Sequence, residues 1–181
     1  MPLIVRLQTL IRCLLVAALT SVILAVPAKA TPGEVREALG EARPLGSAVF
    51  RWLGVPLYEA TLFTPGRASF GWQTPLALQL VYARSLSGEV LVEATIAELE
   101  RIEGTRPDHA RMAKKLDACF RDVAKGDRYV AVAAEPDRIG FWLNGRQTCD
   151  LRHPEARQRI LGIWLSDDSR SVEVARRLRG E

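Results

Sequence analysis

Hydrophobic and polar positions alternate most cleanly in LALQLVYAR, Leu76 to Arg84, where Leu76, Leu78, Leu80 and Tyr82 share one side and Ala77, Gln79, Val81 and Ala83 the other. A period of two over such a run predicts a strand with one face in a core. Upstream, FRWLGVPLYEATLFTP (Phe50 to Pro65) is rich in aromatic and branched residues but is interrupted by Gly54 and Pro56. Ala48–Trp52 and Leu57–Phe63 therefore read as two consecutive strands, or as one strand broken at a bend or bulge. The segment before them, Thr31 to Arg43, is polar with scattered alanines and reads as a ragged lead-in or a short first strand.

The period then changes. Val92, Ile96 and Leu99 recur at helical spacing between Ser87, a capping residue, and Gly104, a stop. A second helix opens at Thr105-Arg106-Pro107-Asp108, which fits a capping box with proline in the first turn, and its apolar face is Met112, Leu116, Cys119, Phe120 and Val123. After the turn Lys125-Gly126-Asp127, RYVAVAAE and RIGFWL read as strands, and Asn144-Gly145 predicts a tight hairpin into RQTCDL. Two short helices close the chain, one around Pro154 to Leu165 burying Ile160, Leu161, Trp164 and Leu165, the other from about Ser171 to Leu178 burying Val172, Ala175 and Leu178. Strands, two helices, strands and two helices predict an α+β layer, with helices stacked on one face of an antiparallel sheet.

The first thirty residues follow another logic. Arg6 and Arg12 precede CLLVAALTSVILAV (Cys13 to Val26), and Pro27 leads to Ala28-Lys29-Ala30, so residues 1–30 read as a signal peptide cleaved after Ala30. An uncleaved anchor would want about 20 apolar residues, more than Arg12 and Pro27 leave. The expected mature domain is residues 31–181, exported to the periplasm. Its charge differs from that of the precursor, because losing Arg6, Arg12 and Lys29 takes the formal charge from +4 to +1. Such a balance gives no excess to hold a phosphate backbone, so nucleic acid is not an expected partner. The membrane is expected to matter only through the signal segment before cleavage.

Two cysteines survive cleavage, Cys119 and Cys149. An oxidising compartment allows a disulfide between them, and two buried thiols acting as small hydrophobes is the alternative.

Arg51 stands out among the candidate functional residues as a guanidinium within an apolar strand, suited to a carboxylate or an enolate. Alternation with Phe50 and Trp52 would instead turn it to solvent. Tyr58 and Tyr82 could bring hydroxyls to a cleft or be core aromatics with a wet tip, and Glu59 belongs on the face opposite Tyr58. His109 and His153 are isolated and read as surface histidines. The spacings of metal ligands, phosphate loops, dinucleotide sites and nucleophile elbows do not occur, so no metal and no cofactor are expected.

Several stretches in order resemble the chalcone isomerase-like family in its bacterial exported branch: GVPLYEATLFTP (Gly54 to Pro65), LQLVYARSLSGEVL (Leu78 to Leu91), the turn Lys125–Asp127, FWLNG (Phe141 to Gly145) and ILGIWLSDDSRS (Ile160 to Ser171). The resemblance implies an open-faced β-sandwich, a large antiparallel sheet covered on one face by a layer of helices, with an apolar cleft between them. Plant members close a chalcone by intramolecular addition, and related non-enzymatic members bind fatty acids in that cleft. Aligned on the family pattern, Leu91 stands where the plant enzymes carry a tyrosine and Glu98 falls near an asparagine position, while the enolate-binding arginine has two partial counterparts, Arg43, which precedes the strand at too short a spacing, and Arg51, which sits inside it. The implied function is binding of a small apolar or amphipathic acid, fatty-acid-like, with Arg51, Tyr58, Tyr82 and Leu91 as ligand contacts. A cofactor-free intramolecular lyase (isomerase) acting on a chalcone-like substrate is the alternative, and an envelope interaction module without ligand is the third reading.

Overall fold

The computed structural model describes residues 31–181; the expected signal peptide lies outside the described residues. Six strands form one antiparallel sheet in sequence order: β1 (Ala42–Trp52), β2 (Val55–Pro65), β3 (Leu76–Tyr82), β4 (Arg128–Glu135), β5 (Arg138–Leu143) and β6 (Arg146–Arg152). Among the described residues five helices accompany it: α1 (Gly33–Leu39), α2 (Gly88–Glu103), α3 (His109–Cys119), α4 (Ala156–Leu165) and α5 (Val172–Arg179). This is the expected α+β architecture, an open antiparallel sheet with a helical layer.

The broken run around Gly54 resolves into two strands longer than expected, joined by the two-residue turn Leu53-Gly54. Both turn residues have positive φ, 49° and 81°, the backbone twist that matches a right-handed hairpin. Asn144-Gly145 makes the same kind of turn between β5 and β6, with φ 51° and 82°. Downstream, Ser87 caps α2 by accepting from the Val90 amide at 3.3 Å, and Gly104 ends it with φ 71°. The cap expected at Thr105 falls elsewhere, since α3 begins at His109 behind Asp108, whose carboxylate makes no cap bond and binds Arg159 instead.

Strands β1 to β5 present residues to two different cores. Ala60, Leu62, Leu78, Leu80, Tyr129 and Phe141 belong to the face that carries the main helical layer. Phe63, Ala77, Val130, Val132 and Trp142 face the other way, where Val35 and Leu39 of α1 pack on them. The lead-in expected over Thr31 to Arg43 is thus a helix patching the back of the sheet, followed by the start of β1. At the edge strand, α5 approaches β1 so closely that a side chain at Gly46 would collide with the backbone carbonyls of Arg177 and Leu178. Only glycine permits that contact.

Cys119, the last residue of α3, is disulfide-bonded to Cys149 of β6, with the Cα atoms 4.9 Å apart. The Tyr129 hydroxyl donates to the Cys119 carbonyl at 2.9 Å, so one helix end is tied to the sheet twice.

Candidate functional site

Helices α2 and α4 do not close completely on the sheet. Ala94 and Ala97, both exposed, line the gap from α2, and the gap is a cavity of about 480 Å³. Its floor is formed by β1 to β5 and its roof by α2, α4 and the segments beside them. Ala131 registers the gap directly: it sits on a central strand, yet it is only half-buried, because open space faces its methyl group. The lining is dominated by leucine, isoleucine, phenylalanine and alanine, with few polar groups. That combination, in a volume between about 300 and 1,000 Å³, is the usual form of a small-molecule site.

Among the polar groups, Tyr58 projects from β2, stacks on Phe50 at 5.2 Å and meets the edge of Tyr82 at 5.8 Å. Its hydroxyl accepts a hydrogen bond from the Trp164 indole N–H at 2.9 Å. The Tyr82 hydroxyl makes no hydrogen bond among the described residues. Burial pushes both phenols well above the ordinary tyrosine range, so both stay neutral. The Thr95 hydroxyl is spent on the Leu91 carbonyl at 2.7 Å.

Charge is confined to the mouth. Arg84 lines the cavity, is exposed, and makes no hydrogen bond or ion pair among the described residues. Arg170 binds Glu98 and lies 5.4 Å above the Trp52 ring. Arg101 binds the same carboxylate at 2.8 Å. Burial raises the Glu98 carboxyl, but the hydrogen bonds from Arg170 and Arg101 outweigh it and hold the group below its usual range.

Tyr58, Tyr82 and Leu91 all lie in the cavity wall. Arg51 does not. It is exposed on the opposite face of β1, where its Nη1 donates to the Gly54 carbonyl at 3.3 Å. The alternation that brings Phe50 and Trp52 into the wall turns Arg51 away, which corrects its expected place at the ligand. Glu59 lies on that outer side too, half-buried. Sequence reasoning missed Arg84, although the signal was present: it lies two residues beyond Tyr82, in phase with the core face of the strand.

The two histidines also need correction. His109 and His153 are buried, 5% and 3% exposed, in a polar knot at the far side of the helical layer. Arg159 donates there to Glu103 at 3.0 Å and to Asp108 at 2.8 Å, and the His109 Nε2 lies 2.7 Å from Glu103. His153 Nε2 sits 3.4 Å from Asp108 without a hydrogen-bond partner. These groups come from α2, α3, α4 and the loop before α4, and they pin the helices to one another.

No family model matches the sequence. An uncharacterized protein of Haemophilus influenzae is 27% identical over 141 residues, which cover 77% of this chain and 68% of that protein. The structure is similar to that of a fatty-acid binding protein of Arabidopsis thaliana, with a TM-score of 0.59 at 9% identity over 78% of this chain and 88% of the plant chain. At that identity the likeness is one of fold, and the fold is chalcone isomerase-like.

Proposed function

We propose that this chain is an exported binding protein for fatty-acid-like amphipathic acids. The observation that carries the reading is the division of the cavity of about 480 Å³ into an apolar interior and a cationic mouth. An acyl chain would lie between sheet and helices, gaining about 0.8 kcal/mol per buried methylene. Its carboxylate would meet Arg84, whose guanidinium has no competing partner among the described residues. Neutral hydroxyls at Tyr58 and Tyr82 suit an uncharged segment of ligand. The similarity to a plant fatty-acid binding protein supports the same reading. The N-terminal signal pattern supports export to the periplasm, and so does a disulfide, a bond at home in oxidising compartments.

A lyase would place a cation beside the oxygen on which charge develops. Here the guanidiniums of the wall sit at the mouth, and the interior offers only neutral groups, the phenols of Tyr58 and Tyr82, a Thr95 hydroxyl spent on the Leu91 carbonyl and a Trp164 indole spent on Tyr58, so binding is the better fit.

Native mass spectrometry of gently purified protein should reveal a bound acid, and cis-parinaric acid should be taken up with enhanced fluorescence. Arg84→Gln should weaken that acid about tenfold and leave its methyl ester unchanged. Ala94→Trp should plug the mouth and abolish both. Undiminished probe binding by the plugged variant, or repeated purification without any ligand or probe uptake, would overturn the proposal.

A further inference from the structure

The β1–β2 hairpin ends beside the cavity mouth, and its tip is unusually apolar. Leu53 is 89% exposed, with Trp52 at 49% and Val55 at 43% next to it. Val90, 44% exposed, lines the same cavity from α2, as Trp52 does from β1.

Leu53 gains nothing from its position by folding criteria. It occupies a left-handed conformation, φ 49°, in which leucine is disfavoured, and its side chain packs on almost nothing. The second hairpin supplies an internal control. Its turn has nearly the same two φ angles, 51° and 82° against 49° and 81°, and uses Asn144-Gly145, the favoured pair for a two-residue hairpin turn of positive φ. The chain therefore contains the good solution at one turn and sets a leucine against both conformation and water at the other.

We infer that the tip of this hairpin docks on an anionic lipid bilayer, with the cavity mouth facing the surface. The surrounding charge is complementary to such a partner. Arg51 folds back on the turn through the Gly54 carbonyl, and Arg170 lies over Trp52. The acid of this wall, Glu98, is already bound by two arginines. An aromatic ring and aliphatic side chains flanked by guanidiniums are what an anionic interface takes up, with the apolar groups below the headgroups and the cations among them. The ligand reading supplies the purpose: acyl chains partition into bilayers, so a carrier collects or delivers them there. Docking rests on that reading for its purpose and not for its occurrence, which is measured separately.

The experiment compares the parent, Leu53→Asn and Arg51→Gln in co-sedimentation with phosphatidylglycerol/phosphatidylethanolamine vesicles and with phosphatidylcholine vesicles. The parent should bind the anionic vesicles and lose most of that binding at high salt. Leu53→Asn should weaken it about tenfold, and Arg51→Gln about fivefold. Because Leu53→Asn recreates the Asn-Gly turn, it should melt no lower than the parent, which separates docking from folding. Neither residue lines the cavity, so cis-parinaric acid should bind all three proteins alike in solution. Vesicle binding lost in Leu53→Asn supports docking even if the probe fails to bind, a result that would sink the cavity reading alone. Normal probe binding with no sedimentation, or sedimentation indifferent to Leu53→Asn, overturns docking and leaves the cavity reading standing. Self-association abolished by Leu53→Asn, without vesicle binding, overturns it in favour of a second copy of this chain.

Discussion

The Trp164 indole of α4 donates a 2.9 Å hydrogen bond to the Tyr58 hydroxyl of β2, joining roof and floor at the wall of the cavity. Tyr58→Phe leaves the indole N–H without its partner and should destabilise the protein by about 1–3 kcal/mol. A double-mutant cycle with Trp164→Phe should return a coupling of about 1 kcal/mol, read from denaturant midpoints. Additive effects would show that the bond contributes nothing to holding the layers.

Alkaline pH should act through the same residues. Tyr58 and Tyr82 are held neutral in the fold by burial, whereas in the unfolded chain they ionise near pH 10. A raised folded pKa means stability that is intact below about pH 10 and falls as pH climbs beyond it. Denaturant midpoints measured across that range should drop, and less steeply in Tyr82→Phe.

At the acid end the polar knot governs. The hydrogen bond from Arg159 holds the Asp108 carboxyl down to about 2. Burial raises Glu103, but hydrogen bonds from Arg159 and His109 more than offset it and leave the group lowered. Depressed carboxyls contribute stability above their unfolded values near pH 4, and that stability is lost as pH falls toward about 2. Arg159→Leu should flatten this acid dependence. At neutral pH it should cost about 1–3 kcal/mol, less than a fully sealed ion pair because solvent reaches the edge of the knot.

Reduction of Cys119–Cys149 releases a closed loop with a sequence separation of 30. The chain-entropy relation gives a loss of about 3.5 kcal/mol. Dithiothreitol and the double serine variant should lower the denaturation midpoint equally, and dithiothreitol should have no further effect on the variant.

Gly46→Ala should cost about 3 kcal/mol, because the added methyl meets two carbonyls of α5 that cannot retreat without lifting the helix. Gly33→Ala, with nothing within 4 Å of its new methyl, should be neutral or stabilise by about 0.5 kcal/mol. Thermal melts of the two variants provide the comparison.

Local chemistry carried much of the architecture in readable form. The Leu76, Leu78, Leu80 and Tyr82 face, the Ser87 cap, the Gly104 stop and the Asn144-Gly145 turn all stand where the residues alone placed them. Each depends on neighbours within a few positions. The lead-in was misread because seven residues of short helix carry little periodicity, and α1 becomes stable only when Val35 and Leu39 land on the back of the sheet.

Order of elements from β1 onward and alternation along strands were therefore determined by the sequence, and with them the inward tyrosines of the cavity wall. Tertiary structure alone decided what depends on long-range distance. It put His109 and His153, 44 positions apart in the chain, into one buried knot with Arg159, and it joined Cys119 to Cys149. It also brought Arg170, beyond the helix Ala156–Leu165, to the mouth, whereas the outward turn of Arg51 and the inward phase of Arg84 follow from alternation along their strands. Whether helices and sheet meet or leave a gap rests on the summed lengths of side chains from separate elements, and no local pattern records that sum.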